Sequence, residues 1–519
     1  MSTNSAWGVI SGLGLCVGLL SGACDDARST ARGSRAGDAG ATVPNPEPRQ
    51  AGSTGSSLAP DAGPPPSVDS AARVPVSNAE LPEGVTRVAV ERVPAALLRH
   101  AVQANNEFGV ALFYALREDS AGRNFLISPI SASLALGMTY AGARRETQTE
   151  MARALRLTSQ PAERSFQGQN ALSQTLAKRG ALAFDVAQAN FHRPSAPPAA
   201  ADFSLEIANS LWGQAGYHFQ APFLRTLAAN YGAGLFKRDF VRSSEPTRLE
   251  INRWVRAHTN DKINDVLPQG AVTPDTRLLL VNALHLKLPW ETPFAESATE
   301  AALFQCLNVK EVPIAMSVPF MRRTDRLAYH DDGSAQIVAL PLVSRHMWLV
   351  VALPHPGVSL ANYERSLRAG SPALVVPSAE QLVALSLPKV TFFSPSISLD
   401  HALQRLGMVR AFDPGRAQFE GMYQRERGEQ PLYVGSVQQK TTIAMQESGI
   451  EAAAATAVSM VAASARLPQK EPVPIPMIVN RPYVFAIVDQ PTGALLLLGH
   501  IELPKDLPET PNLAPAGQE

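Results

Sequence analysis

Between Ala452 and Ala465 the chain runs for fourteen residues, AAAATAVSMVAASA, without a charge, a proline, a glycine or an aromatic ring. Alanine has the best helix propensity, so a helix or a plain linker fits the composition. A third structure fits as well. With no proline every N–H can join a ladder, and with no charge neither face carries a group that resists burial, so the run can serve as an inner strand. Read with period two from Ile450, one face carries Ile450, Ala452, Ala454, Thr456, Val458, Met460 and Ala462, and the other carries Glu451 and Ser459. At ~3.3 Å per residue, fourteen residues reach roughly 45 Å, about the width of a large domain. Composition alone leaves helix, linker and strand open.

The chain has 519 residues, 45% of them hydrophobic, enough for a sizeable core and for two to four domains. Its 46 basic and 46 acidic residues cancel, so no overall field draws it to nucleic acid or an anionic surface. Three cysteines, Cys16, Cys24 and Cys306, with no CxxC pair, argue against a disulfide framework and a zinc cluster. The N-terminal WGVISGLGLCVGLLSGAC is uncharged, apolar and too short for an ordinary membrane span, which marks residues 1–24 as an export signal. Its LLSGAC ending resembles a bacterial lipobox, with Ser21 where leucine is preferred. That likeness implies lipidation of Cys24 and a cell-envelope lipoprotein; plain cleavage and secretion is the alternative. Residues 25 to about 78 are dense in Ala, Gly, Ser and Pro, and the segment 25–93 is read as a disordered tether. The folded body is expected over 94–506, beginning near Val93, with a disordered tail over 507–519.

In AALLRHAVQANNEFGVALFYALRED the residues Leu97, Leu98, Val102, Phe108, Ala111, Leu112 and Leu116 recur at helical spacing. SPISASLALGMTYAGA predicts a buried helix with Pro129 in its first turn and Ser128 as its cap. Downstream, strand-like runs predominate: RLLLVNALHLKL, QIVALPLV, MWLVVALP, LVALSLPKVTFF, YVFAIVD and ALLLLGHIEL. Strands following helices predict an α+β layout. Residues 185–203 read as a surface insertion.

Signatures of catalysis are missing: there is no GxSxG, HExxH, P-loop, GxGxxG or EF-hand loop. The ten histidines stand singly, and His285 and His500, each on a strand-like run, read as packed residues. No metal site, cofactor or enzymatic activity is expected.

Several stretches, in order from Leu98 to Pro504, resemble the serpin superfamily of protease inhibitors. They are NFLISPISASLALGMTYAGARRETQTEM, IANSLWGQ, INRWVRAHTNDKINDVLP, LLLVNALHLKLPWETPF, VPFMRR, LVVALPHPG, LSLPKVTFF, ALQRLGMVRAF and NRPYVFAIVDQPTGALLLLGHIELP. The resemblance implies a serpin fold with large mixed β-sheets, about eight to nine helices and an exposed reactive loop. It marks Ser128, Ser131, Asn282, Trp290 and Gln439 as a sheet-opening region. Gln439 stands where many serpins have histidine, and Leu288 replaces a common glycine.

The same resemblance turns the alanine-rich run into the loop that inserts. Its hinge is Glu447, Gly449, Ile450, Glu451, Ala452, Ala453, Ala454, Ala455 and Thr456. The usual count of seventeen residues from the hinge glutamate places the reactive bond at Ala463–Ser464, with Arg466–Leu467 as the alternative. A small residue before the cut suits elastase-like or subtilisin-like serine proteases, and the arginine suits trypsin-like ones. Ile450 is β-branched and bulky where a small residue is usual, which is expected to slow insertion. The implied protein is a monomer that traps a protease by suicide inhibition.

Overall fold

The computed structural model describes residues 79–118, 122–191, 197–307, 313–451 and 472–504. The helical spacing near the start of the body becomes α1 (Ala95–Arg117), which buries Leu97, Val102, Phe108, Leu112 and Leu116. Next comes α2 (Pro129–Tyr140), buried at every position. Its Ser128 cap accepts from the Ser131 N–H, and Pro129 sits in the first turn, where its missing N–H costs nothing. The other helices are α3 (Arg145–Ala154), α4 (Ala162–Ala177), α5 (Arg179–Ala189), α6 (Ala221–Tyr231), α7 (Phe240–Ala257), α8 (Leu360–Ser366) and α9 (Asp400–Arg405). These nine, among the described residues, fit the expected α+β class and helix number.

Two large sheets carry the strands. The central sheet holds β2 (Ser204–Gln214), β4 (Leu235–Arg238), β5 (Leu278–Pro289), β11 (Val390–Phe393), β12 (Ile397–Ser398), β14 (Val434–Met445) and β15 (Gly449–Ile450). Its order is β4, β2, β5, β15, β14, β11, with β12 also on β14. The second sheet runs β1 (Phe125–Ile127), β18 (Ala494–Ile501), β17 (Tyr483–Asp489), β9 (Met347–Pro354), β8 (Ala335–Pro341), β7 (Pro313–Asp331), β10 (Glu380–Pro388) and β16 (Ile475–Ile478), with β6 (Glu300–Leu307) on β7. A short pair, β3 (His218–Phe219) with β13 (Tyr423–Gln424), stands apart. Each strand-like run read from the sequence falls on these strands, and LVALSLPKVTFF divides at Pro388 between β10 of the second sheet and β11 of the central one.

Period two decides which face of β5 meets which core. Leu284, Leu286 and Leu288 enter the apolar cluster shared with the second sheet. Leu279, Val281 and Ala283 point the other way, into a smaller cluster with Trp254 and Val255 of α7. The central sheet is thus covered on both faces, as a sheet with internal parallel pairs requires.

Two expectations are corrected. The body begins before Val93: Glu80 N–H donates to Leu235 O at 2.9 Å and Val88 N–H to Ala229 O at 2.8 Å, so residues 79–93 lie on the body as a strap. Residues 185–189, expected in an insertion, complete α5, which is anchored by the buried Arg179–Asp489 pair at 2.6 Å. Cys306 is a buried free thiol. No helix among the described residues is long and apolar enough to cross a membrane.

Candidate functional site

In the middle of the central sheet β5 and β14 run parallel, Leu278–Leu284 against Val434–Thr441. On their outer sides both pair antiparallel, β5 with β2 and β14 with β11 and β12. A parallel ladder is slightly weaker per residue than an antiparallel one. A strand entering between β5 and β14 antiparallel to both would exchange one weak ladder for two stronger ones.

Such an entry has begun. After Met445 the chain turns, with Gln446 and Gly449 exchanging backbone hydrogen bonds at 3.0 and 3.2 Å, and returns as β15. β15 pairs antiparallel on both sides: Ile450 with Met445 of β14, and Gly449 and Ile450 with Pro289 and Leu288 of β5. Ile450 is 1% exposed and packs in the same apolar cluster as Leu288, Trp290, Phe294 and Met445. The two bulky departures noted in the sequence, Leu288 and Ile450, are direct partners across this pairing. Ile450 is therefore already accommodated, and the expected steric obstacle does not arise at this first position.

The chain leaves the sheet at Glu451, whose φ of +46° is left-handed, a conformation that costs a non-glycine residue about 1–2 kcal/mol. Straightening Glu451 into a continuing strand would relieve that strain. Its side chain lies on the face opposite Ile450, as the period-two reading requires. There it contacts the ring Nε2 of buried His285, and Lys262 Nζ lies 3.8 Å away.

Around the turn the hinge is held from three directions. Trp290 donates its backbone N–H to Ser448 O at 3.0 Å and its indole N–H to Gln446 O at 2.8 Å. Phe294 N–H donates to Glu447 O at 2.8 Å. The Glu447 carboxylate accepts from Lys389 Nζ and from Thr299 Oγ1, both at 2.8 Å. Burial alone would raise its pKa, but the bonds from Lys389 and Thr299 outweigh that and hold it below the ordinary glutamate value.

Lower on the seam, Gln439 Oε1 accepts from Ser128 N–H at 3.0 Å, and its Nε2 donates to Ser128 O at 3.0 Å and to Asn282 Oδ1 at 2.6 Å. Ser131 Oγ bonds Asn209 at 3.0 Å and donates to Ala283 O at 3.4 Å. Ser128, Ser131, Asn282 and Gln439 therefore form one connected group. Trp290 is not part of it: that ring sits past the other end of β5, beneath the hinge. Three buried polar atoms along the seam, Asn282 Nδ2, His285 Nδ1 and Thr442 Oγ1, have no hydrogen-bond partner. Unsatisfied buried groups cost free energy, so the closed seam carries a penalty that a fully bonded one would not.

Sequence reasoning missed Lys389, Thr299 and Lys262, and read His285 only as a packed residue. Lys389 follows Pro388 inside LSLPKVTFF, the one signal that pointed to it. The loop residues Ala452, Ala453, Ala454, Ala455 and Thr456, both bonds named for cleavage (Ala463–Ser464 and Arg466–Leu467), and Cys24 lie outside the described residues. Among the described residues no cluster of metal-ligating side chains occurs.

The central sheet thus has a parallel seam between β5 and β14, with the two residues of β15 paired antiparallel to both. The chain belongs to the serpin family: the family model described as serpin (serine protease inhibitor) matches residues 103–504. Among curated relatives, a leukocyte elastase inhibitor of Equus caballus is 29% identical over 411 residues, covering 77% of this chain and 98% of its own. A serpin B6 of Bos taurus is 33% identical over 404 residues, covering 76% and 97%. Among solved structures, the thermophilic serpin tengpin in its native state matches with TM-score 0.65 and 27% identity over 81% of this chain and 97% of that one. Human thyroxine-binding globulin, at 22% identity and TM-score 0.64, shares the fold. The family is one of protease inhibitors, and the chain is not an enzyme.

Proposed function

We propose that this protein inhibits a serine protease outside the cytoplasm by acting as a suicide substrate. The protease attacks the loop as it would a substrate and forms the acyl-enzyme. The freed loop then continues the path that β15 has opened and carries the acylated protease with it before water completes hydrolysis. The observation that carries this reading is the pairing of Ile450 with both β5 and β14, in the register and direction a full strand would follow. The preferred bond is Ala463–Ser464, with Arg466–Leu467 second. The likeness to a leukocyte elastase inhibitor supports an elastase-like target, with subtilisin-like and trypsin-like enzymes next. The N-terminal segment supports export, with lipid attachment at Cys24 or free secretion, and the inhibitor acts as a monomer.

The test is incubation with elastase-like, subtilisin-like and trypsin-like proteases, followed by denaturing electrophoresis. A covalent complex that survives denaturant is expected with at least one enzyme, and N-terminal sequencing of the released fragment locates the bond. If every protease clips the loop and keeps full activity, the inhibitory reading fails.

A further inference from the structure

A cavity of about 540 Å³ lies at the β2–β4 edge of the central sheet, apart from the β15 hinge. That volume falls in the range of small-molecule sites, about 300–1,000 Å³. Its walls come from unrelated parts of the chain: Leu134 and Met138 of α2, Phe236 of β4 and Trp254 of α7. The strap 79–93 forms its rim. Leu81, on that rim, is 56% exposed, an unusual position for a large apolar side chain in a segment otherwise fastened to the body.

The strap is held firmly. Besides its bonds to Leu235 and Ala229, Glu80 pairs with Lys237 at 2.8 Å, and Val88 O accepts from Asn170 and Gln174 at 2.8 Å each. Gly232 and Gly234 make room for it: a Cβ on Gly234 would stand 2.4 Å from Glu80 O, and one on Gly232 would meet the Arg87 side chain at 3.0 Å. The sequence GAG at 232–234 is thus a cradle that sets Arg87 in place at the cavity.

Arg87 is half-buried there with only neutral partners. Its Nε donates to Asn170 Oδ1 at 2.9 Å and its Nη2 to Ser173 Oγ at 3.2 Å. Among the described residues no carboxylate pairs with it, and burial alone pushes its pKa down. A guanidinium has five N–H donors in a fixed fork, so two bonds leave most of its capacity unused. A half-buried cation is costly unless an anion meets it. The one carboxylate on the cavity wall, Glu206, belongs to an exposed position of β2 and forms no ion pair with Arg87.

We infer that this cavity binds an amphipathic monocarboxylate, its head on Arg87 and its apolar tail between Leu134, Met138, Phe236 and Trp254. A single guanidinium supplemented by one serine hydroxyl matches a monoanion, whereas a doubly charged phosphate calls for more cations. The apolar walls require a tail. The site is independent of the reactive loop, so it stands or falls separately from protease inhibition.

The experiment is titration calorimetry of the full chain with dodecanoate and with dodecanol, both below their aggregation thresholds. Dodecanoate is expected to bind at one site, and about tenfold or more tighter than the uncharged alcohol, the difference a charge-assisted hydrogen bond supplies. Arg87→Gln should remove that preference while leaving dodecanol binding unchanged. Ala177→Trp, at an exposed wall position on the last turn of α4 that the strap does not use, should weaken both ligands. A melting curve checks that each variant is folded. If Arg87→Gln unfolds the strap, Ala177→Trp against dodecanoate decides the matter alone. Absence of dodecanoate binding, equal affinity for acid and alcohol, or indifference of dodecanoate binding to Ala177→Trp overturns the proposal.

Discussion

Gln439 uses both ends of its amide across the seam, joining Ser128 of the α2 cap to Asn282 of β5 from its own place on β14. Gln439→Leu keeps roughly the same volume but strips Ser128 N–H and Asn282 Oδ1 of their partners in a fully buried site. The expected loss is about 2 kcal/mol of native-state stability, read as a lower denaturant midpoint at unchanged slope. Glu447 gives a pH prediction. Its folded pKa lies below the ordinary 4.5, so the unfolded chain takes up the proton first on acidification. The stabilisation is therefore complete above the ordinary value and is lost as pH falls through the lower folded one. The difference in melting temperature between the parent and Glu447→Gln should be constant near neutrality and shrink below about pH 4.5; a difference that grows on acidification would contradict the Lys389 clamp. Of these residues, Gln439, Asn282 and Glu447 were legible in the sequence because motifs frame them. Lys262 lies within the quoted INRWVRAHTNDKINDVLP, but nothing local ties it to Glu451, and Thr299 lies in no motif; each meets the hinge only through folding that joins distant segments.

Elements with their own period were readable: α1 and α2 from apolar spacing, β5, β9, β17 and β18 from their apolar runs. β15 was not, because two residues, one of them glycine, have no pattern; the strand exists through the partners that β5 and β14 provide. The strap failed for a related reason. Its apolar residues follow no regular period, and its order comes from backbone bonds to Leu235 and Ala229 and from the Glu80–Lys237 and Arg87–Asn170 contacts, which no local pattern reports. Which face of the loop points inward was legible, and Ile450 tests it. Ile450→Lys would bring an ammonium into an apolar cluster that offers no acidic partner on that face. The substituted hinge should stay out of the seam, so cleavage outruns insertion. Expected on a denaturing gel is cleaved protein with free, active protease in place of the covalent complex, while Glu451→Ala, on the opposite face beside His285 and Lys262, retains the complex. Equal yields from both variants would mean that the inward face was wrongly assigned.

At the scale of the molecule, the question is whether the closed seam is the lowest state these strands can reach. Three observations say it is not: a parallel ladder between strands that are otherwise antiparallel, three unpaired buried polar atoms along it, and a left-handed Glu451 where the entering strand stops. The first and the third would be relieved by one event, the passage of the residues after Ile450 down the gap between β5 and β14. About a dozen newly paired residues at roughly 1 kcal/mol net per hydrogen bond give on the order of 10 kcal/mol. For a body of roughly four hundred residues, about 1 °C per kcal/mol converts that to a rise of about ten degrees in melting temperature. If the intact chain, fixed at Glu447 on one side and at β16 on the other, resists that passage, its stability is kinetic. A single proteolytic nick between Ala452 and Leu467 frees one end. Calorimetric scans of intact and nicked protein under the same buffer should then separate by about ten degrees, with the nicked form the more stable. If the two scans coincide, the gap between β5 and β14 does not accept the strand, and the observed pairing of Ile450 is a fixed hairpin and not the start of a movement.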